Sequence, residues 1–173
     1  MNTTDQLNTE LEELEENTQD GKFLTFTLGK EEYGIEIRNV TEIIGIQNIT
    51  DLPDMPNYIK GIINLRGKVI PVMDVRLRFG MEERAYDERT CIVVVNIRNS
   101  SVGLIVDSVS EVVDIAAENI EPPPLVRPGQ SSRYVEGLGH VENAVKILLD
   151  IRNLLYEGEL DSITDTIENA VEA

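Results

Sequence analysis

The sequence predicts a mainly β protein of two small β-barrels side by side, related by an internal duplication, with short helices and a C-terminal helix. Two repeats and one composition pattern indicate this fold. The segment 58–76 recurs 76 positions later at 134–152, and the segment 23–44 recurs without a gap 69 positions later at 92–113. Many short alternating runs separated by glycine and proline are typical of antiparallel barrels or sandwiches.

The two copies of the longer repeat agree at framework positions and differ at their tips. The first copy reads YIKGIINLRGKVIPVMDVR and the second reads YVEGLGHVENAVKILLDIR. The tyrosine, glycine, aspartate and arginine positions and the apolar positions are shared. Asn64 to Lys68, NLRGK, is replaced by HVENA. A fold that needs only the shared positions leaves this tip free for another task.

Length and charge restrict the classes of protein. The chain has 173 residues, of which 41% are hydrophobic, so it can bury a core, and each half of about 70 residues is small enough to need the other. We expect an acidic tail at 1–20, one folded domain at 21–156 with a first barrel at about 22–84 and a second at about 90–151, and a helix at 157–173. The net charge of −17 argues against nucleic acid as a partner.

The first twenty residues are polar and acidic, unlike a secretory signal, and no apolar run approaches the length of a membrane span. Leu7, Leu11 and Leu14 have helical spacing within an acidic run. A short frayed helix or a disordered tail is the expectation, and a partner-binding helix is the alternative.

The first barrel begins with a hairpin, because 23–28 and 33–37 alternate around a turn that contains Gly29. The run 39–44 fits either a helical turn or a strand. Prolines make 51–57 a loop. The segment 61–75 reads as two strands around a tight turn at Arg66 and Gly67, in which Pro71 indicates a sheet edge or a strand start.

The second half repeats this pattern after a polar bridge at 84–90 and carries a seven-residue insertion in the proline-rich stretch 122–132. Asp74 and Asp150 follow strands and precede short apolar runs, so we interpret both as helix N-caps. The segment 162–171 closes the chain as an amphipathic helix with Ile163, Ile167, Ala170 and Val171 on one face.

No catalytic, metal or cofactor site is predicted. With His140 and Cys91 as the only histidine and cysteine, no His/Cys zinc set can be built within the chain. The segment 61–68 has five residues between its glycines and Val69 where a phosphate loop requires serine or threonine. A hydrolase that uses Asp74 and Asp150 as paired carboxylates is the rival from a different class.

The remaining signal is on the surface. Arg66 is one of few basic residues, and its counterpart in the second copy is Glu142. Either Arg66 is an ordinary solvated turn residue, or it forks onto a partner's carboxylate or backbone carbonyls. Val40, Ile43 and Ile44 carry more apolar surface than one hairpin can bury. A groove between the halves would therefore expose part of it to a partner helix.

The strings FLTFTLGKEEYGIEI, VTEII, YIKGIINLRGKVIPVMDVR, VGLIVDSVSEVV and YVEGLG together resemble the CheW family of chemotaxis coupling proteins over about 23–156. The resemblance implies two five-stranded Src-homology-3-like barrels without enzymatic activity or cofactor. It also implies a cytoplasmic adaptor that joins the hairpin tips of chemoreceptors to the regulatory domain of the histidine kinase CheA. Such an adaptor would be a monomer alone and would assemble into membrane-proximal arrays without inserting into the membrane.

The resemblance also implies two sets of contact residues. The receptor-binding set is Val40, Glu42, Arg66, Cys91, Ile92, Val109 and Val112. The kinase-binding set is Ile46, Ile49, Lys60 and Gly61. Because the chain as given has no kinase or receiver segment, we expect a stand-alone adaptor. An adaptor of the same scaffold that serves another signalling system, such as pilus motility, is the alternative.

Overall fold

The computed structural model describes residues 3–14, 20–123, 133–155 and 157–172. Three α-helices lie in these ranges, and they are α1 (Thr3–Leu14), α2 (Val75–Arg78) and α3 (Glu157–Glu172). The strands are β1 (Lys22–Leu28), β2 (Glu31–Glu36), β3 (Val40–Gly45), β4 (Ile59–Leu65), β5 (Lys68–Asp74), β6 (Cys91–Ile97), β7 (Ser100–Val106), β8 (Ser108–Asp114), β9 (Ile120–Glu121), β10 (Val135–Val141) and β11 (Ala144–Leu149).

The strands form two sheets, and each sheet takes strands from both halves of the sequence. One sheet has the order β8-β1-β2-β11-β10-β9 and the other has the order β3-β6-β7-β5-β4. The mainly β fold with two small sheets of five and six strands confirms the predicted fold class. The sixth strand, β9, is only two residues long.

The partition of the strands differs from the expected barrels at 22–84 and 90–151. The β1–β2 hairpin leaves its own half and inserts between β8 and β11, while the β6–β7 hairpin inserts between β3 and β5. The physical reason is that duplicated hairpins have the same pairing edges, so each can complete the other half's sheet as well as its own. The two halves have therefore exchanged hairpins reciprocally.

A glycine lies at each of the two parallel pairings that this exchange creates. Gly34 of β2 lies beside Leu148 of β11, and Gly103 of β7 lies beside Val72 of β5, which are the same relationship in the two copies. A Cβ on Gly34 would stand 2.9 Å from Leu148 Cδ2, and one on Gly103 would stand 2.8 Å from Ile92 Cγ2. Side chains at these positions would push the packed neighbours apart.

Alternation along the strands divides the core into layers. In β6, Cys91, Val93 and Val95 belong to the large cluster that is shared by both sheets, whereas Ile92 and Val94 face the interior of the five-stranded sheet. A third cluster, around Phe23, Ile115 and Leu148, fills the six-stranded sheet. Successive side chains of a strand point to opposite faces. Strand β6 therefore contributes side chains both to the large shared cluster and to the core of the five-stranded sheet.

The turns and caps follow the sequence prediction closely. Residues 39–44 resolve into β3 after a 3₁₀ turn, Ile37–Asn39. Arg66 and Gly67 form the β4–β5 turn with φ angles of 51° and 82°. Asp74 caps α2 by accepting the Leu77 N–H, and Asp150 accepts the Arg152 N–H at the start of the 3₁₀ helix Ile151–Asn153.

Pro71 corrects one expectation, because β5 lies inside its sheet between β7 and β4. The parallel ladder with β7 covers Val72 to Asp74 and so starts one residue after the proline. The N–H that proline lacks is therefore not required by that ladder.

Helix α3 packs onto the β-structure through its first three turns. Leu160 and Ile163 are buried, and Ile167 packs against the same cluster. Arg78, itself buried, donates to both Glu159 carboxylate oxygens at 3.1 and 2.8 Å and stacks 4.2 Å from the ring centroid of Tyr58. The predicted C-terminal helix is thus present, although the side chains of Ala170 and Val171 lie outside the described residues.

Candidate functional site

Helix α1 packs across the outermost strands of the two sheets. Strand β3 ends the five-stranded sheet and β8 ends the six-stranded sheet. These strands are equivalent in the repeat, since Val40 on β3 and Val109 on β8 are 69 positions apart. We define the inter-sheet groove by the residues that line it: Val40, Glu42, Cys91, Val109 and Val112. These five of the seven predicted receptor-binding residues lie on β3, β6 and β8.

The apolar floor of the inter-sheet groove is half-buried in the structure. Val40, Val109 and Val112 are half-buried and pack against the large shared core, to which Cys91 also belongs. Burial raises the pKa of the Cys91 thiol above its ordinary value. The thiol is therefore a small apolar wall of the groove rather than a nucleophile.

Arg66 lies at the rim and joins the groove through an ion pair with Glu42. The Arg66 side chain is 72% exposed, whereas the Glu42 side chain is 17% exposed. The turn conformation at Arg66, with φ of 51°, directs the side chain from the β4–β5 tip toward β3. Two predicted receptor contacts that are 24 residues apart in sequence are therefore in direct contact.

Ile92 does not belong to this surface. It is completely buried, with 0% exposure, and faces the interior of the five-stranded sheet with Val72 and Ile105. The neighbouring Cys91 faces the opposite side, because side chains alternate along β6. Ile92 therefore supports the groove from behind and cannot contact a partner from this position.

Of the residues assigned to kinase binding, Lys60 and Gly61 lie on β4 and Ile49 lies against Gly61, whereas Ile46 directly follows β3. Ile46 and Ile49 are half-buried against the core of the five-stranded sheet, and Lys60 forms an ion pair with Glu83. Backbone hydrogen bonds in both directions between Thr50 and Ile62, each 2.9 Å long, hold the loop against β4.

Gly61 has a structural role in this region. Its φ is 144°, and a Cβ there would stand 2.0 Å from the Thr50 carbonyl oxygen. Only glycine permits this close approach of the loop to β4. Gly61 is buried and offers no side chain to a partner, so its influence on the surface is through the backbone.

Comparison with known proteins identifies the family. The family model described as "CheW-like domain" matches residues 22–159. The chain belongs to the CheW-like domain family. It is 42% identical to "Chemotaxis protein CheW" of Klebsiella aerogenes over 139 residues, covering 80% of this chain and 84% of that protein. It is 31% identical to "Chemotaxis protein CheW" of Treponema pallidum over 153 residues, covering 86% and 90%.

A solved CheW structure supports the same conclusion. The crystal structure of the scaffolding protein TtCheW from Thermoanaerobacter tengcongensis shares 39% sequence identity and a TM-score of 0.74, covering 80% of this chain and 94% of that one. The CheW-like chain is therefore a scaffold protein of chemotaxis and not an enzyme. Within the described ranges, no helix is long and apolar enough to span a membrane.

The environments of the two aspartates agree with a CheW-like scaffold. Asp74 is buried and accepts hydrogen bonds from Tyr86 Oη at 2.8 Å and from the Leu77 N–H at 3.2 Å. Asp150 follows β11 in the other sheet and pairs with Arg152. The rival reading of these aspartates as paired catalytic carboxylates is wrong, since each caps a separate helix. His140 is an exposed residue near the end of β10 that pairs with Glu121.

Sequence reasoning did not assign Leu7 and Asn8 of α1 to this CheW-like surface. Helix α1 packs against β3 and β8, the two walls of the inter-sheet groove. The Leu7 side chain is buried, and the Asn8 carboxamide donates to the Ile43 carbonyl at 2.8 Å and accepts from the Ile43 N–H at 2.9 Å. The leucine spacing indicated a helix but gave no docking position.

Proposed function

We propose that the protein is a cytoplasmic adaptor that couples the hairpin tip of a chemoreceptor to the regulatory domain of the histidine kinase CheA. The observation that carries this proposal is the exposed Arg66, held beside Glu42 at the rim of an apolar groove. Arginine presents a planar fork of donors that matches carboxylates and carbonyls, and apolar grooves accept the apolar face of a partner helix.

The receptor surface that we propose comprises the inter-sheet groove and Arg66. Its apolar floor would bury the hydrophobic stripe of a receptor helix, while Arg66 and Glu42 would fix the helix's position along the groove. Charge at an interface rim contributes mainly to specificity, and buried apolar anchors contribute most of the affinity.

The kinase surface that we propose lies around Ile46, Ile49 and Lys60. Ile46 and Ile49 are half-exposed apolar side chains, and Lys60 places a positive charge next to them. Lys60 lies near the start of β4, whereas Arg66 follows the end of the same strand, so the kinase and the receptor would contact opposite ends of β4. Two separate surfaces allow both partners to bind one monomer, which is the requirement for membrane-proximal arrays.

A pull-down with both partners tests this function. The full chain is immobilised and offered a receptor cytoplasmic fragment and the CheA regulatory domain, first separately and then together. We expect capture of each alone and of both together. Capture of one partner that excludes the other would contradict two separate surfaces.

Two single substitutions separate the surfaces in the same assay. Arg66→Ala should reduce capture of the receptor fragment without reducing capture of the kinase domain. Lys60→Glu should do the reverse. Equal loss of both partners in either variant would place both contacts on one surface and contradict the proposed arrangement.

A further inference from the structure

The inter-sheet groove is already occupied by a helix of the same chain. Helix α1 lies along β3 and β8, the end strands of the two sheets. The Leu7 side chain, only 4% exposed, joins the hydrophobic cluster that includes Cys91 and against which Val40, Val109 and Val112 pack. Thr4 Oγ1 lies 3.8 Å from Cys91 Sγ. The first turns of α1 therefore cover the apolar floor that we assign to a partner helix.

A specific polar contact fixes α1 in this position. An end strand presents unpaired N–H and C=O groups. The Asn8 carboxamide, which carries one acceptor and a donor group, satisfies both groups of Ile43. Gln6 and Thr9 are exposed, so α1 presents one defined face to the groove. This pair of hydrogen bonds fixes the position of α1 along β3. Apolar contacts alone would not specify that position, because they are not directional.

We propose that α1 is an internal competitor for the inter-sheet groove, so that the chain alternates between a closed form and an open form that binds the partner helix. The inference rests on the function proposed above for the groove. Two helices cannot occupy the same apolar floor, and α1 must leave Cys91 and Ile43 before another helix can contact them. Helix α1 precedes the region 22–159 that matches the family model.

The strength of the competition sets the expected effect. When only a fraction of molecules is open, the apparent dissociation constant is the intrinsic one divided by that fraction. If about nine molecules in ten are closed, the partner binds roughly tenfold more weakly than it would to an open groove. Substitutions that detach α1 from the groove should therefore increase the affinity for the partner by this roughly tenfold factor.

The first test opens the groove in the full chain. The double variant Leu7→Asp/Asn8→Ala introduces a charge into the apolar contact between α1 and the groove. It also removes the two hydrogen bonds between the Asn8 side chain and the Ile43 backbone. Gln6→Ala, on the exposed face of the same helix, is the matched control. We expect the double variant to bind a receptor cytoplasmic fragment about tenfold more tightly than the wild type and the control variant does. The Cys91 thiol should also react faster with a thiol reagent in the double variant, without any receptor present.

The second test locks the groove closed. Thr4→Cys places a second sulfur beside Cys91, and oxidation should join α1 to β6. We expect the oxidised variant to lose receptor binding and the reduced variant to regain it. Wild-type protein treated with the same oxidant is the control, because its single cysteine cannot form an internal disulfide.

The outcomes separate this inference from the proposed function. If the double variant exposes Cys91 but binds the receptor fragment no more tightly than the wild type, the inference is wrong while the proposed function stands. The inference is also wrong if the oxidised Thr4→Cys variant binds the receptor fragment as tightly as the reduced variant does. If no form of the protein binds the receptor fragment, the proposed function itself is wrong.

Discussion

Arg66 and Glu42 form an ion pair that connects the tip of one hairpin to the end strand of the same sheet. The two side chains differ in solvent exposure, since the arginine is largely exposed while the glutamate is mostly buried. An exposed ion pair of this kind contributes only ~0–1 kcal/mol to folding. Its geometry therefore matters for what it presents to a partner more than for stability.

Removing the Arg66 guanidinium should weaken receptor binding with little effect on folding. We expect Arg66→Ala to cost ~1–3 kcal/mol in binding of a receptor fragment, while the melting temperature stays nearly unchanged. Alanine retains the same backbone requirement at φ of 51°, so no new strain is added. Arg38→Ala, at another exposed ion pair, is the control. A large loss of melting temperature with unaltered binding would assign Arg66 to the fold.

The two equivalent aspartates should differ in their importance for stability. Asp74→Ala removes the cap of α2 and leaves the Tyr86 hydroxyl without its acceptor, so we expect a loss of about 2–4 kcal/mol. Asp150→Ala removes only a cap near the surface, and we expect a loss of about 1 kcal/mol. Urea unfolding of both variants measures the difference. Equal losses would mean that the Tyr86 contact contributes nothing.

Alanine at either glycine of the parallel pairings should lower the free energy of unfolding. Gly103→Ala would press on Ile92, a stiff β-branched residue that is fully buried, and we expect a loss of about 2–3 kcal/mol. Gly34→Ala meets the end of the more flexible Leu148 side chain and should cost about 1–2 kcal/mol.

Gly45 provides the matched control for these glycines, because a Cβ there meets nothing within 4 Å. Gly45→Ala should stay within about 0.5 kcal/mol of the wild type in chemical denaturation. A ranking in which Gly45→Ala is as destabilising as Gly103→Ala would show that close packing is not the cause.

Tyr58 should make stability depend on alkaline pH. Burial raises the pKa of Tyr58 to about 12, and the hydrogen bond that it donates to Glu159 adds to this effect. The folded chain keeps the phenolic proton to higher pH than the unfolded chain, whose tyrosines titrate near pH 10 as a rough reference. This contribution is complete below about pH 10 and is lost as the pH rises through about 12.

The measurement compares the wild type with Tyr58→Phe in urea unfolding at several alkaline pH values. The difference in unfolding free energy between the two proteins should shrink from about pH 10 upward. Tyr33 and Tyr86 are present in both proteins, so their own titration cancels in this difference. A difference that does not change with pH would contradict the assignment.

The strands, turns and caps were predictable from sequence because their signals are local. Alternation identifies a strand, and Arg66-Gly67 marks its turn, whatever the strand pairs with. The reciprocal exchange of hairpins was not predictable, because both copies of a duplicated hairpin fit either sheet. The alternation of apolar and polar residues along a strand indicates which side chains face the core. It does not indicate which other strand is the neighbour in the sheet.

The candidate site was predictable in part, because its residues lie in strings that resemble a known family. Val40, Glu42, Arg66, Cys91, Val109 and Val112 carried a resemblance that placed them near one another, and the structure brings them together. Ile92, which was predicted with them, is fully buried on the opposite face of β6 from Cys91. The position of α1 depends on a side-chain contact between Asn8 and Ile43, and no periodic pattern encodes such a contact.

The hairpin exchange bears on how such a chain can arise and assemble. In a polypeptide with a single copy of the repeat, the hairpin could complete the sheet of another molecule, and this arrangement would give a swapped homodimer. Joining two copies end to end makes that association intramolecular and independent of protein concentration. Fusion also frees the two copies to differ, and the opposite charges of Arg66 and Glu142 at equivalent tips make the molecule one-sided where a swapped homodimer would be symmetric.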